Sequence, residues 1–304
     1  TSCNKWYARD RVCVHVLRQL GIVAVPVTGP ASARGSDILE IVSREVLCSN
    51  RGAALRLPFA EFNNPEILER ELDIATKLLV LDSAEIDLLL DLEVVQQLPI
   101  HQQSVAYLVA VIHEALAVAR KFGEFRNVVL CGSSVPESVG KEYETTPYRG
   151  PRVEFDVWRA LLLHTRIPVA FSDGGITPVR GDAPRGRGRA VARIRLSTPT
   201  EHVLHRTDLK KYVDLCKNVV ASADFDMSLL AWGASQLREC ASGLPQTSWP
   251  TRWVACDTNL HIEATLVEIE KRLRAAGRIA DYQFPKEETI AWLQQSMLES
   301  EVTQ

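Results

Sequence analysis

The sequence predicts an α/β protein, built as one TIM-barrel-like (β/α) domain whose first strand is degenerate or missing. Short apolar runs alternate with segments of helical periodicity, the pattern of parallel strands joined by helices. About seven such steps follow an opening helix, close to the number in a complete barrel. A doubly wound parallel sheet fits the same pattern and is the alternative. The barrel-like domain is assigned to residues 1–284, and a C-terminal helix and tail to residues 285–304.

Polar residues, most of them charged, follow five of the apolar runs. In parallel α/β folds the carboxyl ends of the strands meet on one face, so these side chains are expected to converge there. They are Arg56, Asp82, Ser133, Asp173 and Arg195. The pattern predicts the location of a site without specifying its reaction.

In the first half of the chain, capping signals set the boundaries of the predicted elements. Gly21 ends the opening helix, Ser36 caps the second, and Asn64-Pro65 begins the third, because proline in the first helical turn costs no hydrogen bond. Apolar spacing predicts helices over 9–20, 37–48, 65–76, 85–90 and 102–121, and strands over 22–27, 53–55, 78–81 and 128–131.

In the second half, glycine and proline mark the turns. Residues 148–151 are predicted as a turn, and Asp173-Gly174-Gly175 as a turn at a strand tip, because glycine tolerates positive φ. The arginine-rich segment 180–189 is predicted as a loop that is either solvated or contacts a phosphate or an acidic partner. Helices are predicted over 153–163, 209–221, 262–275 and 286–298, and strands over 167–171, 192–194 and 227–232.

Composition excludes several classes of partner. The net charge of -3 gives no overall field that would attract nucleic acid, so nucleic-acid binding is not expected. No apolar stretch approaches the roughly 20 residues that span a bilayer, so no membrane partner is expected. Seven cysteines without a C-x-x-C pair argue against a disulfide framework and indicate free thiols in the cytoplasm.

Several familiar sequence devices are absent. The chain has neither the phosphate loop G-x-x-x-x-G-K-[ST] nor G-x-G-x-x-G, and it lacks G-x-S-x-G. His202 and His205 lie three residues apart without an H-E-x-x-H pattern, so no metal site is expected. We therefore expect no cofactor.

The strand-end acids Asp82 and Asp173 have natural partners in Arg56 and Arg195. One interpretation is an internal salt-bridge network. The other is a site for an anion, with arginines as forked donors and carboxylates as acid or base. Ser133 follows a glycine at a strand end, where a hydroxyl can help to shape an anion pocket.

Two further pairs lie at predicted helix starts. Arg152 and Glu154 flank the first residue of one helix, where a glutamate also suits the positive end of the helix dipole. Asn259 and His261 precede another helix. Each pair either caps its helix or faces the site.

Several short strings, taken together, resemble the phage beta protein family. The chain's VLCGSSVP is similar to the family's "GGSFP" strand end, PRVEFDVW to "PRLEWELW", and FSDGGI to "GDYGI"; residues 192–197 resemble "IRYT", and residues 251–253 with 258–261 resemble "TWR...TNHH". The resemblance implies one barrel-like α/β domain found in phages and bacteria, with no activity to carry over. The motif positions are Arg152, Glu154, Asp173, Arg195, Asn259 and His261. The chain departs from the pattern at Val135, Gly174 and Leu260.

These observations lead to two functional expectations. The first is a barrel that binds a small anionic ligand, a nucleotide or phosphate ester, at the C-terminal strand ends and hydrolyses it in a phage or phage-defence context. The alternative is a non-catalytic scaffold with a protein partner in a phage-defence or phage-encoded assembly. For the first, the expected catalytic residues are Asp173, Glu154, Asp82 and His261, and the expected ligand-binding residues are Arg56, Arg152, Arg195, Ser133 and Asn259.

Overall fold

Five parallel strands form the main sheet of the protein. The computed structural model describes residues 24–30, 42–47, 50–136, 139–176, 191–208, 211–244 and 250–281. The strands are β1 (Val27–Thr28), β2 (Ala53–Pro58), β3 (Ile86–Val94), β4 (Asn127–Ser133) and β6 (Val169–Phe171), in the spatial order β1-β2-β3-β4-β6. The protein is thus α/β with a parallel sheet. A closed barrel is not seen within the described residues, which are compatible with a doubly wound sheet.

Helices cover one face of this sheet and bury the first apolar core. They are α1 (Phe59–Phe62), α2 (Pro65–Leu79), α3 (Val105–Ala119) and α4 (Val153–His164), together with a helical segment at 42–47. Successive strand residues point to opposite faces, so Leu88 and Leu90 enter the core while Leu89 lies on the half-exposed face.

A second, antiparallel sheet supports a separate apolar core. Its strands β5 (Tyr148–Pro151), β7 (Val191–Ser197) and β8 (Glu201–Asp208) are arranged in the order β5-β8-β7. Helices α5 (Tyr212–Val220), α6 (Trp232–Ala241) and α7 (Pro250–Ala275) accompany this sheet. In this core Tyr212 stacks on Trp253 with 4.9 Å between the ring centroids.

The predicted strand at 78–81 is wrong, and with it the placement of Asp82. The spacing of Leu68 and Leu72 continues through Leu79, so this apolar run ends helix α2, and Val80 closes the helix at φ 54. Asp82 begins the short turn that precedes β3. It therefore lies at the amino end of a strand, on the opposite edge from the predicted site.

The predicted helix at 85–90 is also wrong, because these residues begin strand β3. The acidic residues in this leucine-rich segment are spaced like the polar face of a helix, and this spacing led to the wrong prediction. In the sheet, Asp87 lies on the half-exposed face and accepts two hydrogen bonds from Arg126, at 2.7 and 2.6 Å. Burial acts to raise the pKa of Asp87, but the bonds from Arg126 and Asn127 outweigh it and the pKa is lowered.

The second half departs further from its predicted elements. The predicted turn at 148–151 is strand β5, and the predicted strand at 227–232 is wrong, because Trp232 begins α6. The strand predicted at 192–194 extends to Ser197 in the antiparallel sheet, so Arg195 does not end a parallel strand.

Several predictions lie partly or wholly outside the described residues. They are the helix at 9–20, the loop at 180–189 and the C-terminal helix and tail at 285–304. The division of the chain into a barrel-like domain at 1–284 and a C-terminal helix and tail at 285–304 stays a prediction. Of the predicted first strand at 22–27, Val27 pairs with β2, while residues 24–26 are not in a strand.

Replacing Gly233 with alanine should destabilise the second core. A Cβ at this position would lie 2.4 Å from the carbonyl oxygen of Cys256, so α6 and α7 would have to separate. We expect Gly233→Ala to lower the free energy of unfolding by about 1–3 kcal/mol. The change is measured by urea denaturation, with Ser235→Ala on the same helix as the control. Equal stability of the two variants would contradict this packing.

Candidate functional site

Asp173 and the start of α4 form one side of a buried polar cluster. Asp173 lies two residues beyond the end of β6, where its Oδ1 accepts a hydrogen bond from the Gly175 amide at 2.9 Å. Arg152 and Glu154, at the beginning of α4, are both almost fully buried. Arg152 Nη2 lies 3.8 Å from Asp173 Oδ2. This side of the cluster belongs to the first core.

The other side comes from the second core. His261 of α7 places Nε2 at 2.9 Å from Asp173 Oδ2 and Nδ1 at 2.6 Å from Ser197 Oγ. Ser197 Oγ also lies 3.4 Å from His202 Nδ1, and His202 Nε2 lies 3.4 Å from Glu154 Oε1. We call these five residues the serine–histidine network. Two carboxylate–imidazole pairs thus meet at one hydroxyl.

Arg152 holds the network from behind. It donates to the Thr198 carbonyl oxygen at 3.1 Å and to Thr265 Oγ1 at 2.9 Å, and its guanidinium lies 4.5 Å from the centroid of the Phe155 ring. Burial lowers the pKa of Arg152, although Glu154 and Asp173 act in the opposite direction. Arg152 Nε and Glu154 Oε2 have no hydrogen-bond partner among the described residues.

The electrostatic surroundings fix the charge states of two network members. Burial acts to raise the pKa of Asp173, but the hydrogen bond and charge of His261, the Gly175 amide and Arg152 outweigh it and leave the pKa below its ordinary value. Burial lowers the pKa of His202, a shift that Glu154 only partly offsets. At neutral pH, Asp173 is therefore an anion and His202 is uncharged.

These charge states determine which nitrogen carries each proton. An ionised Asp173 only accepts, so His261 Nε2–H donates to it, and in the uncharged imidazole Nδ1 is then the atom that accepts from the Ser197 hydroxyl. In the uncharged His202, a proton on Nε2 that faces Glu154 likewise makes Nδ1 an acceptor. The Ser197 hydroxyl has one proton, and the 2.6 Å contact to His261 is shorter than the 3.4 Å contact to His202.

A second group of polar residues lies along the carboxyl edge of the parallel sheet. Arg56 Nε donates to Asp91 Oδ2 at 2.6 Å, and Asp91 is the register partner of Cys131. Burial raises the pKa of the Cys131 thiol to about 11, and the charge of Asp91 is the second largest cause of this rise. Smaller effects come from Ser172 and Arg56, which lower the pKa, and from Asp173, which raises it. Arg56 and Asp173 therefore share this edge.

The remaining predicted site residues lie elsewhere. Arg195 is buried in the second core, where Nη1 lies 3.4 Å from Asp257 Oδ2. Ser133 is buried and its hydroxyl accepts from the Val135 amide at 3.4 Å. Asn259 and His261 do not precede a helix as predicted but lie inside α7, and Asn259 Oδ1 accepts from the Gly233 amide at 2.8 Å, at the start of α6. Of the predicted catalytic residues, the structure brings together Asp173, Glu154 and His261, but not Asp82.

Comparison with known proteins adds one match. A family model described as Beta protein matches residues 10–266, which is most of the chain. The chain belongs to the Beta protein family. No curated protein and no solved structure matches it. The match confirms the resemblance seen in the sequence strings, and the matched range of this Beta protein family member contains the whole serine–histidine network.

Sequence reasoning missed three polar residues of this family member. Ser197 ends a string that resembles a family motif, but the hairpin that aligns it with His202 was not predicted. His202 was considered only as a metal ligand. Asp91 was missed because the strand that carries it begins in a segment, residues 85–90, whose pattern predicts a helix. In each case the missing information was strand pairing, which brings together residues that the local pattern leaves apart.

Two cavities have different positions relative to the serine–histidine network. A groove of about 520 Å³ is lined by Ser197 together with residues of the loop at 223–229 and of α7. A larger cleft of about 840 Å³ lies at the amino ends of β4 and β6, with Arg120, Arg126 and Arg166 on its walls. The larger cleft therefore opens on the opposite edge from Asp173, and the smaller groove is the one that reaches the network.

The described residues contain neither a candidate metal site nor a candidate membrane span. Nowhere in the described ranges do three or more His, Cys, Asp or Glu side chains form a group that could hold a metal ion. No helix in the described part of the chain combines the length and apolar character needed to cross a membrane.

Asp257→Asn should remove a pH dependence of stability. Burial raises the pKa of Asp257 to about 8 from an ordinary 3.8, despite Arg195. Because the folded-state pKa lies above the unfolded one, this contribution is complete below pH 3.8 and is lost as the pH rises to about 8. Relative to the variant, the wild-type free energy of unfolding should fall by up to about 1.4 kcal/mol per pH unit in this interval. Urea denaturation across the interval tests this, and parallel pH profiles would contradict it.

Proposed function

We propose that this Beta protein family member binds a small anionic ligand, a nucleotide or phosphate ester, at the carboxyl edge of its parallel sheet and hydrolyses it. The observation that carries the proposal is the 2.9 Å bond between Asp173 Oδ2 and His261 Nε2. Asp173 belongs both to the arginine-bearing edge and to the imidazole network. A ligand at the edge would therefore meet a cation and an acid–base pair together.

Arg56 is the proposed contact for the anion. Its side chain is 57% exposed, while its partner Asp91 is almost fully buried. A guanidinium has five N–H donors, so the pairing with Asp91 leaves donors for a ligand. Arg152 is buried behind Asp173, so it would stabilise the negative charge of the ligand without contacting the ligand. His261, backed by Asp173, is the proposed acid or base, and His202 with Glu154 forms a second such pair.

The setting is proposed on less direct support. The strands of the main sheet are neighbours in space in the order in which they follow along the chain, which favours the TIM-barrel-like form over a doubly wound sheet. Among the described cysteines, Cys131, Cys216 and Cys240 form no disulfide, which favours the cytoplasm. Family membership supports a role connected with phages or antiviral defence.

One observation favours a second function, that of a non-catalytic scaffold with a protein partner in a phage-defence or phage-encoded assembly. Arg152, Glu154, His202 and His261 are each at most 3% exposed. Their hydrogen bonds lead to the side chains of Asp173, Ser197 and Thr265 and to the Thr198 backbone, as in a network that joins two cores. In that case the network stabilises the fold and carries out no reaction.

The anion-binding proposal predicts ligand-dependent stabilisation that requires Arg56. A library of nucleotides and phosphate esters is screened by thermal unfolding, and a ligand at about 100 times its Kd should stabilise the wild type by about 2.7 kcal/mol. Arg56→Ala should abolish the shift. Arg120→Ala, which removes an exposed arginine from the opposite edge, should keep it. The proposal fails if no compound shifts the wild type at millimolar concentration, or if Arg56→Ala responds like the wild type.

The hydrolytic step is tested separately, by phosphate release from the stabilising ester. Asp173→Asn should lower turnover by about 100-fold or more, because the amide no longer supports a protonated His261. The control is Asp156→Asn, which removes another half-buried aspartate, one that pairs with Arg159 at 3.0 Å. Circular dichroism establishes that both variants are folded. Ligand binding without turnover in the wild type would favour the scaffold.

A further inference from the structure

We propose that Ser197 is the nucleophile of a second activity, the hydrolysis of uncharged carboxylic esters held in the groove beside it. The hydroxyl is bonded to an imidazole, and the imidazole is bonded on its other side to a carboxylate. The distances are 2.6 Å from Ser197 Oγ to His261 Nδ1 and 2.9 Å from His261 Nε2 to Asp173 Oδ2. This is the order of groups that activates a serine for acyl transfer on unrelated folds.

The absence of G-x-S-x-G does not oppose this assignment. That motif places a serine on a sharp turn between a strand and a helix. Ser197 instead ends antiparallel strand β7, and a hairpin turn over residues 198–200 leads into β8. The hydroxyl is therefore positioned by strand pairing with β8 and by contact with α7. A triad is recognised by its geometry and not by its sequence position.

The second imidazole positions the serine. His202 is uncharged and its Nδ1 is an acceptor, so His202 and His261 compete for one hydroxyl proton. The contact to His261 is shorter by 0.8 Å, as 3.4 Å compares with 2.6 Å. His261 is therefore the base, and His202, held by Glu154, limits the rotation of the hydroxyl from the other side.

The groove identifies the substrate class. Its volume of about 520 Å³ suits a small ligand. Apolar lining comes from Leu196, Phe225, Leu229 and Leu260, which are suited to an alkyl or aryl group. The charged lining residues are Asp224, Asp226, Glu268 and Lys271, so acids outnumber bases by three to one. An anion is disfavoured here, and an uncharged apolar ester is favoured.

The reaction balances with water as the second reactant. As Ser197 Oγ bonds to the ester carbonyl carbon, its proton passes to His261 Nδ1. The bond from that carbon to the alcohol oxygen breaks, and the alcohol leaves with the proton from His261. Water then attacks the acyl-serine, gives a proton to His261, and releases the acid as Ser197 recovers its hydrogen. Asp173 stabilises the charged imidazole throughout.

This activity shares the His261–Asp173 pair with the proposed function but needs no anionic ligand. The test is covalent labelling with an uncharged alkyl fluorophosphonate, read by peptide mass spectrometry without any nucleotide or phosphate ester. We expect one label on the wild-type protein, at Ser197. Failure of labelling would therefore leave the thermal-shift result for anionic ligands unaffected, and the two proposals can fail separately.

Variants make the labelling test specific. Ser197→Ala should lose the label, and His261→Gln should slow labelling by about 100-fold or more, because the base is gone. His202→Gln should slow it far less, with the label still on Ser197. The matched control is Ser242→Ala, which removes an exposed serine outside the groove, one that donates to the Glu239 carbonyl oxygen at 2.7 Å, and should label like the wild type.

Two further measurements keep the result decisive. If Ser197→Ala fails to fold, Ser197→Thr takes its place. This variant retains a hydroxyl, so it should still be labelled, although more slowly than the wild type. Hydrolysis of p-nitrophenyl butyrate should depend on Ser197 and His261 in the same way as labelling does. Absence of a label on the folded wild type, or a label on another residue, would overturn the assignment.

Discussion

The bond between Asp173 and His261 is the interaction on which the arrangement of the two halves depends. Asp173 follows the last strand of the parallel sheet, and His261 lies on the helix that packs against the antiparallel sheet. Two separate apolar cores therefore meet across a polar seam. Removing His261 would leave the buried carboxylate of Asp173 without one of its hydrogen-bond donors, at a cost of about 1–3 kcal/mol. Polar side chains beside one core thus form hydrogen bonds with polar side chains beside the other.

The polar residues between the two cores serve both the stability of the fold and the proposed proton transfer, so these two roles cannot be assigned to different residues. Arg152 donates to Thr198 and Thr265 of the second half, while its Nη2 lies 3.8 Å from Asp173 Oδ2 of the first. The groups best suited to proton transfer are thus also those that hold the halves in register. Donors and acceptors that are held in place before charge moves between them need little reorganisation when it does.

Local sequence pattern was sufficient where one face of an element is continuously apolar. Helices α2, α3 and α4 and strands β4 and β6 lie close to their predicted ranges, and Asp173 was predicted because it follows the apolar run that forms β6. The pattern failed where pairing decides the structure. Strand β3 carries acids among leucines, and Asp82 follows an apolar run that belongs to a helix. His202 and Ser197 meet through a hairpin, which periodicity along one strand does not reveal.

The thiol of Cys131 gives the carboxyl edge an unexpected chemical character. With a pKa of about 11, only about one molecule in ten thousand carries a thiolate there at pH 7. Oxidants and alkylating agents react with the thiolate, so this cysteine remains inert although it lies among charged and polar neighbours. The carboxyl edge therefore carries a thiol that is a weak nucleophile at neutral pH.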